Sequence, residues 1–188
     1  SKEVTKAWNT ILEKENKNFR VTVEGLMDCM GMLMEDIADV LFVKEPVETR
    51  YELLSRCMVY ENEYIGIHGG KLYPNTESTI KDLKLPLCIV SNCQAGYIEA
   101  FLKAHKLGEY FLDMENPGRT GLNKAGNIKL VVERNNFKNP VYVGDILGDY
   151  KSATEAGVPF IHAAYGFGKV DCEHKIEDIS QLLDIDRI

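Results

Sequence analysis

The chain has 188 residues, of which 45% are hydrophobic and 27% are charged, and its formal net charge is −7 at pH 7. This composition excludes intrinsic disorder, and the length suits one domain or a core domain with an insert. The acidic balance argues against a broad nucleic-acid or anionic-membrane surface. Because no apolar run approaches the roughly 20 residues of a membrane span and the five cysteines are scattered, we expect a cytoplasmic protein without a disulfide framework.

The first part of the chain, up to about residue 71, has helical periodicity. Val4, Trp8 and Leu12 recur at the spacing of one helix face, and a long helix is predicted from about Pro46 to Tyr64. No convincing strand pattern occurs in this part. We therefore predict an all-helical domain over residues 1–71.

The remainder of the chain, residues 72–188, alternates between short apolar runs and helical patterns. The apolar runs predict strands buried on both faces of a parallel sheet, at 86–90, 141–143 and 159–161. The helical patterns lie between or after them, at 97–105, 128–132 and 150–156. This order predicts a Rossmann-like α/β core, in which chemistry is expected at the carboxyl ends of the strands.

Polar side chains follow two of these runs. Ser91 and Asn92 come directly after the first run, and Asp145 follows the second, with Asp149 four residues later. Lys124 lies between them, at the predicted start of a helix. A hydroxyl with backbone amides, an ammonium group and a carboxylate pair at one edge of a sheet could together bind a phosphate and a divalent cation.

Each of these residues also has a simpler interpretation. Ser91 and Asn92 could form a turn or a helix cap, and Lys124 could be an ordinary solvated lysine. Asp145 could cap a helix, with Asp149 on its exposed face. All three features nevertheless occur together, in chain order and after the expected elements. This combination favours a site for a phosphate and a divalent cation.

The motifs around these residues resemble those of haloacid dehalogenase-superfamily phosphatases, specifically the phosphoglycolate-phosphatase-like group with a helical cap. LCIVSN resembles the second motif of that family, GLNKAGNIKLVVERN the third and VYVGDILGD the fourth. AGVPFIHAAYGFG resembles the last core strand and its loop. The resemblance covers nearly the whole chain and is most specific from residue 72 onward.

The resemblance implies a Mg²⁺-dependent phosphomonoester hydrolase that acts on a small phosphorylated metabolite through an aspartyl-phosphate. It implies catalytic roles for Ser91 and Lys124, with Ser91, Asn92 and Lys124 binding the phosphate. It assigns Asp145 to the metal and Asp149 to the same metal site as a supporting acid. The helical cap would close over the site and select the substrate, and no nucleic acid or membrane partner is implied.

One motif of the family is missing from the sequence. The family's first motif is a strand ending in DxD and a Gly-Thr turn, and its first Asp is the nucleophile. The sequence contains DxD once, at Asp184-Ile185-Asp186, without that turn, and we interpret it as the end of a helix. We therefore expect the nucleophile upstream of the given residues. A catalytically inactive binding or scaffold protein is the alternative, and a circularly permuted nucleophile is a further possibility.

The missing strand also affects the predicted sheet. In this family it lies between the strands that end at Ser91 and Asp145, so its omission leaves a slot roughly 9.6 Å wide, twice the usual strand spacing. Unpaired backbone groups would line that slot. The sheet could instead close by direct pairing, by a swapped segment or by a partner strand, which leaves the oligomeric state open.

Overall fold

A computed structural model describes residues 2–187, with side chains through residue 185. The helices are α1 (Lys2–Lys14), α2 (Val23–Asp28), α3 (Met34–Leu41), α4 (Val47–His68), α5 (Thr76–Asp82), α6 (Tyr97–His105), α7 (Pro117–Thr120), α8 (Lys124–Arg134) and α9 (Leu147–Ala156). The strands are β1 (Leu87–Val90), β2 (Phe111–Glu115), β3 (Tyr142–Gly144), β4 (Phe160–Ala163) and β5 (Lys175–Ile176). 3₁₀ turns cover Gly108–Tyr110 and Ile179–Arg187, and the second of these contains the Asp184-Ile185-Asp186 sequence.

The chain divides into two compact units. The first unit comprises residues 1–70 and 92–108, and the second comprises residues 71–91 and 109–188. The change of unit at residues 70 and 71 lies one residue before the boundary that we predicted from the sequence. Residues 92–108, which we expected in the α/β core, group with the helical unit.

The described residues of the first unit form helices with connecting loops and no strand, and its core is centred on α1 and α4. Trp8 and Leu12 of α1 are fully buried, as the periodicity predicted, and the Trp8 ring lies 5.7 Å from that of Phe42. The long helix predicted to end near Tyr64 continues one turn further, to His68. Gly69 ends it with φ at +60°, a conformation that residues with a Cβ rarely adopt.

The second unit contains two parallel sheets rather than one. β1 pairs with β2 in the first sheet, and β3, β4 and β5 follow one another in the second. The three apolar runs correspond to β1, β3 and β4, which confirms the predicted α/β class. β2 and β5 were not predicted, because β2 carries Asp113 and Glu115 among its five residues and β5 is only two residues long.

A gap separates the two sheets at the position where the sequence predicted a slot. Among the described residues, β1 and β3 share no ladder hydrogen bonds. Both strands are only half-buried, whereas β4 is buried along its whole length. The prediction that all three runs are buried on both faces was therefore wrong for β1 and β3, because each has an unpaired edge.

A tyrosine side chain connects the two sheets across this gap. The Tyr142 hydroxyl of β3 donates a hydrogen bond to the Val90 carbonyl oxygen of β1, at 2.9 Å. The Ser91 amide donates to Glu115 on the opposite side, and backbone groups alternate in direction along a strand. The Val90 carbonyl therefore faces the gap, where the Tyr142 side chain takes the place of a neighbouring strand's N–H.

Candidate active site

The carboxyl end of β3 leads directly into α9, and Asp149 organises this junction. Asp149 is the third residue of α9, and its Oδ2 accepts hydrogen bonds from the amides of Asp145, at 3.1 Å, and Ile146, at 3.4 Å. An acidic side chain in the first turn also interacts favourably with the positive end of the helix dipole. The interpretation in which Asp145 caps the helix and Asp149 is exposed was wrong, because Asp149 is buried and provides the cap.

Lys124 reaches the same carboxylate from α8. Asn123 caps this helix by accepting a hydrogen bond from the Gly126 amide at 2.8 Å, which places Lys124 at the first helical position. The Lys124 Nζ lies 2.6 Å from Asp149 Oδ1, and the two side chains are only 9% and 7% exposed. The interpretation of Lys124 as a solvated lysine was therefore wrong, since its ammonium is held in a buried ion pair.

Gly144, the last residue of β3, makes this arrangement possible. A Cβ at this position would lie 2.6 Å from the Asp149 Cβ and 2.7 Å from its Oδ2. Neither atom could move away without breaking the hydrogen bonds that Asp149 makes. The glycine before Asp145 thus allows the Asp149 side chain to lie directly against the end of the strand.

Asp145 is held through one carboxylate oxygen. Its Oδ2 accepts a hydrogen bond from the Phe167 amide at 2.8 Å. Among the described residues, no hydrogen bond engages its other oxygen, Oδ1. Asp149, in contrast, has both oxygens engaged by Lys124 and by backbone amides, so the two acids occupy different environments.

Tyr142 lies between these acids and the end of β1. Burial raises the pKa of its phenol, and the negative charges of Asp149 and Asp145 raise it further. Its hydroxyl contacts the carbonyl of Val90, the residue immediately before Ser91. Tyr142 was not predicted as part of the site, because a tyrosine within an apolar run is indistinguishable from an ordinary core residue.

The structure thus brings some of the predicted site residues into contact with one another, but not all of them. Lys124, Asp145 and Asp149 form one hydrogen-bonded cluster. Ser91 directly follows β1, and the residue before it, Val90, accepts the hydrogen bond from Tyr142 of β3. Asn92 belongs to the first unit, where its Nδ2 donates to the Gly31 carbonyl at 2.8 Å. The phosphate-binding roles of Ser91 and Asn92 remain predictions.

The donor set fits part of a magnesium site. Mg²⁺ prefers oxygen ligands and commonly retains several waters alongside one or two carboxylates, and Asp145 Oδ1 is a carboxylate oxygen of the kind that it takes. Within the described part of the chain, no group of three or more His, Cys, Asp or Glu side chains is arranged to hold a metal ion. Further ligands would therefore have to come from water, the substrate or residues outside those described.

The part of the chain that the structure describes includes no helix with the length and apolar character to span a bilayer.

Solved structures share this fold at low sequence identity. A haloacid dehalogenase-like hydrolase from Bacteroides fragilis aligns with a TM-score of 0.76 at 20% identity, covering 96% of this chain and 91% of that one. A predicted phosphoglycolate phosphatase from Haemophilus somnus 129pt aligns with a TM-score of 0.80 at 18% identity, covering 98% and 90%. A predicted phosphatase from Clostridium acetobutylicum aligns with a TM-score of 0.74 at 19% identity, covering 99% and 91%.

A family model gives a more specific result. The model described as haloacid dehalogenase-like hydrolase matches residues 1–163, which include the helical unit and the predicted site residues Ser91, Asn92, Lys124, Asp145 and Asp149. No curated protein matches the chain. With most of its length covered by this one model, the chain belongs to the haloacid dehalogenase-like hydrolase family.

Proposed function

We propose that the protein is a Mg²⁺-dependent phosphatase that hydrolyses a small phosphorylated metabolite through an aspartyl-phosphate. The observation that carries this proposal is the buried Lys124–Asp149 ion pair beside Asp145, at the carboxyl end of β3. A buried ammonium and a carboxylate with one available oxygen suit a dianionic phosphoryl group accompanied by a hard cation. The names of the similar structures, which include predicted phosphatases, agree with this reaction class.

The nucleophile in this proposal is an aspartate outside the 188 residues, on a strand that fills the gap between β1 and β3. Its carboxylate forms a bond to phosphorus while the ester oxygen departs and takes a proton from a second acid. Water then attacks the phosphorus, gives a proton back to that acid, and releases inorganic phosphate and the free aspartate. The gap supports this assignment, because one strand there would pair with both unpaired edges and end beside Asp145 and Ser91.

The residues of this chain have separate roles in the proposed reaction. The Ser91 hydroxyl, with Asn92, binds the phosphoryl oxygens, and the Lys124 ammonium stabilises the negative charge that they carry. Asp145 would hold Mg²⁺, and Asp149 orients both Lys124 and the backbone at Asp145. When bound, Mg²⁺ would supply further charge stabilisation at the phosphoryl oxygens.

A phosphatase assay with Mg²⁺ tests this proposal. The substrates are p-nitrophenyl phosphate and phosphoglycolate, the second chosen from the name of the Haemophilus somnus structure. We expect no turnover by the 188-residue chain and clear turnover by a chain extended with its upstream coding sequence. In the extended chain, Asp145→Ala should reduce kcat by about 10²–10³-fold, the usual cost of losing one charge-stabilising group. Asp171→Ala, at an exposed acid of the same unit, is the matched control.

Three results would contradict the proposal. Normal activity of Asp145→Ala would remove that residue from the mechanism. Turnover by the 188-residue chain alone would show that the nucleophile is not upstream. Anion or Mg²⁺ binding without turnover in the extended chain would favour the alternative, a catalytically inactive binding protein.

A further inference from the structure

The loop that follows β4 contacts Asp145 through its backbone. It comprises residues 165–168 and is termed the 165–168 loop. The Phe167 amide donates to Asp145 Oδ2 at 2.8 Å, and the Gly168 amide donates to the Asp145 backbone carbonyl at 3.1 Å. The side chain and the main chain of one residue are thus both held by adjacent amides of the same loop.

The contact is closer than any residue with a side chain would allow. A Cβ on Gly166 would lie 2.3 Å from the Asp145 Cβ and 2.4 Å from its Oδ2. A Cβ on Gly168 would lie 2.6 Å from the Asp145 carbonyl oxygen. In the second case the obstructing atom is backbone, so a side chain at Gly168 would displace the loop or the strand end. Glycine at both positions is therefore required by space.

The start of the loop is also anchored. The Gly166 amide donates to the Ala163 carbonyl at 3.0 Å, which closes a turn directly after β4. The Tyr165 ring packs edge-on against Tyr73 at 5.2 Å. Burial raises the pKa of Tyr165 to about 12, and the charges of Asp178 and Asp145 add to this effect. The start of the loop is therefore anchored independently of Asp145.

We propose that the 165–168 loop positions Asp145, by fixing Oδ2 so that Oδ1 is presented to a divalent cation, and that Gly166 and Gly168 thereby set the cation affinity of this chain. The amide donates to a charged oxygen, which makes a stronger and more directional hydrogen bond than one between neutral groups. Outer groups that orient a metal ligand typically change metal affinity by about 10–100-fold when they are lost. The inference rests on the metal role given to Asp145 in the proposed function.

Mn²⁺ is the probe, because it takes the same oxygen ligands as Mg²⁺ and its free form is measured directly by electron paramagnetic resonance. We expect the 188-residue chain to bind Mn²⁺ weakly and Asp145→Asn to abolish that binding. Gly166→Ala and Gly168→Ala should each raise the Kd about 10–100-fold. Gly148→Ala is the matched control, since its Cβ would meet only the Ile146 side chain, at 3.4 Å, and its Kd should be unchanged.

Amide hydrogen exchange gives a second measurement that does not depend on glycine variants folding. In the wild-type chain the Phe167 amide should be protected, and Asp145→Ala should increase its exchange rate while leaving β4 unaffected. Equal exchange in the two proteins, an unchanged Kd in a folded Gly166→Ala protein, or no Mn²⁺ binding by the wild type would each overturn the proposal. If the Mn²⁺ Kd values and amide exchange rates are as expected but the extended chain has no phosphatase activity, the proposed function is refuted and the positioning role remains.

Discussion

The buried carboxyl of Glu61 predicts a pH-dependent stability of the first unit. Glu61 lies in α4 with 4% of its surface exposed, and its Oε2 accepts a hydrogen bond from the Trp8 Nε1 at 2.7 Å. Burial raises its pKa from 4.5 to about 7, although the hydrogen bonds from Trp8 and Gln94 oppose that rise. Burial, and after it the negative charge of ionised Glu61, also raise the pKa of two neighbours, Cys57 and Tyr97.

The sign and size of the effect follow from this shift. In the native state Glu61 keeps its proton to a higher pH than in the unfolded chain, so the unfolded state binds fewer protons between pH 4.5 and 7. The free energy of unfolding therefore falls as the pH rises through that window. The stabilisation is fully present below pH 4.5 and is lost above pH 7. At 1.36 kcal/mol for each pKa unit, the total change is about 3 kcal/mol.

Glu61→Gln tests this reasoning, because it keeps an oxygen that can accept from Trp8 and removes the titrating proton. The assay is urea unfolding between pH 4.5 and 8, followed by the fluorescence of Trp8, the single tryptophan of the chain and a core residue of the first unit. The stability of the variant relative to wild type should rise by about 3 kcal/mol across this range. Glu63→Gln, at an exposed position on the same helix, should give a difference that is constant with pH. The same constant difference for Glu61→Gln would refute the argument.

Two further predictions concern the second unit, and urea unfolding followed by circular dichroism measures both. Lys124→Met should lower the free energy of unfolding by about 3–5 kcal/mol, because it leaves a buried carboxylate without its partner, and the double variant K124M/D149N should recover much of that loss. A single variant as stable as wild type would show that the pair is solvated. Tyr142→Phe should cost about 1 kcal/mol through loss of its hydrogen bond to Val90, whereas Tyr150→Phe, in a ring that packs on Phe160, should cost less. Equal costs would mean that the Tyr142 contact contributes nothing.

The parts of the fold with a strong periodic pattern could be predicted from the sequence. Trp8 and Leu12 mark one face of α1, and the apolar runs mark β1, β3 and β4. β2 could not be found in this way, because a charged residue in a strand hides the apolar pattern. Asp113 of β2 is paired with Arg134, which lies far from it in the sequence. The grouping of residues 92–108 with the helical unit was also inaccessible, since it depends on α6 packing against α4.

The candidate site was predictable in its residue types and less so in its contacts. Lys124, Asp145 and Asp149 stood out by their position after predicted strands or at a predicted helix start. The sequence could not show that Asp149 has both oxygens engaged while Asp145 has one available. The closeness of Gly166 and Gly168 to Asp145 was equally hidden, because two glycines after a strand ordinarily indicate only a turn.

The gap between β1 and β3 gives the residues of the candidate site a structural role as well. α8 packs against β1 and β2, and α9 packs against β3 and β4, so the Lys124–Asp149 ion pair joins elements that belong to different sheets. Tyr142 provides a second hydrogen-bonded connection across the gap, and α8 also packs directly against α9. Because the two sheets share no ladder hydrogen bonds among the described residues, these side chains and the packing of α8 on α9 hold their carboxyl ends in register. Loss of activity on changing Lys124 would therefore mix a chemical and a structural effect. The double variant K124M/D149N separates the two, since it should restore much of the stability without restoring an ammonium for the phosphate.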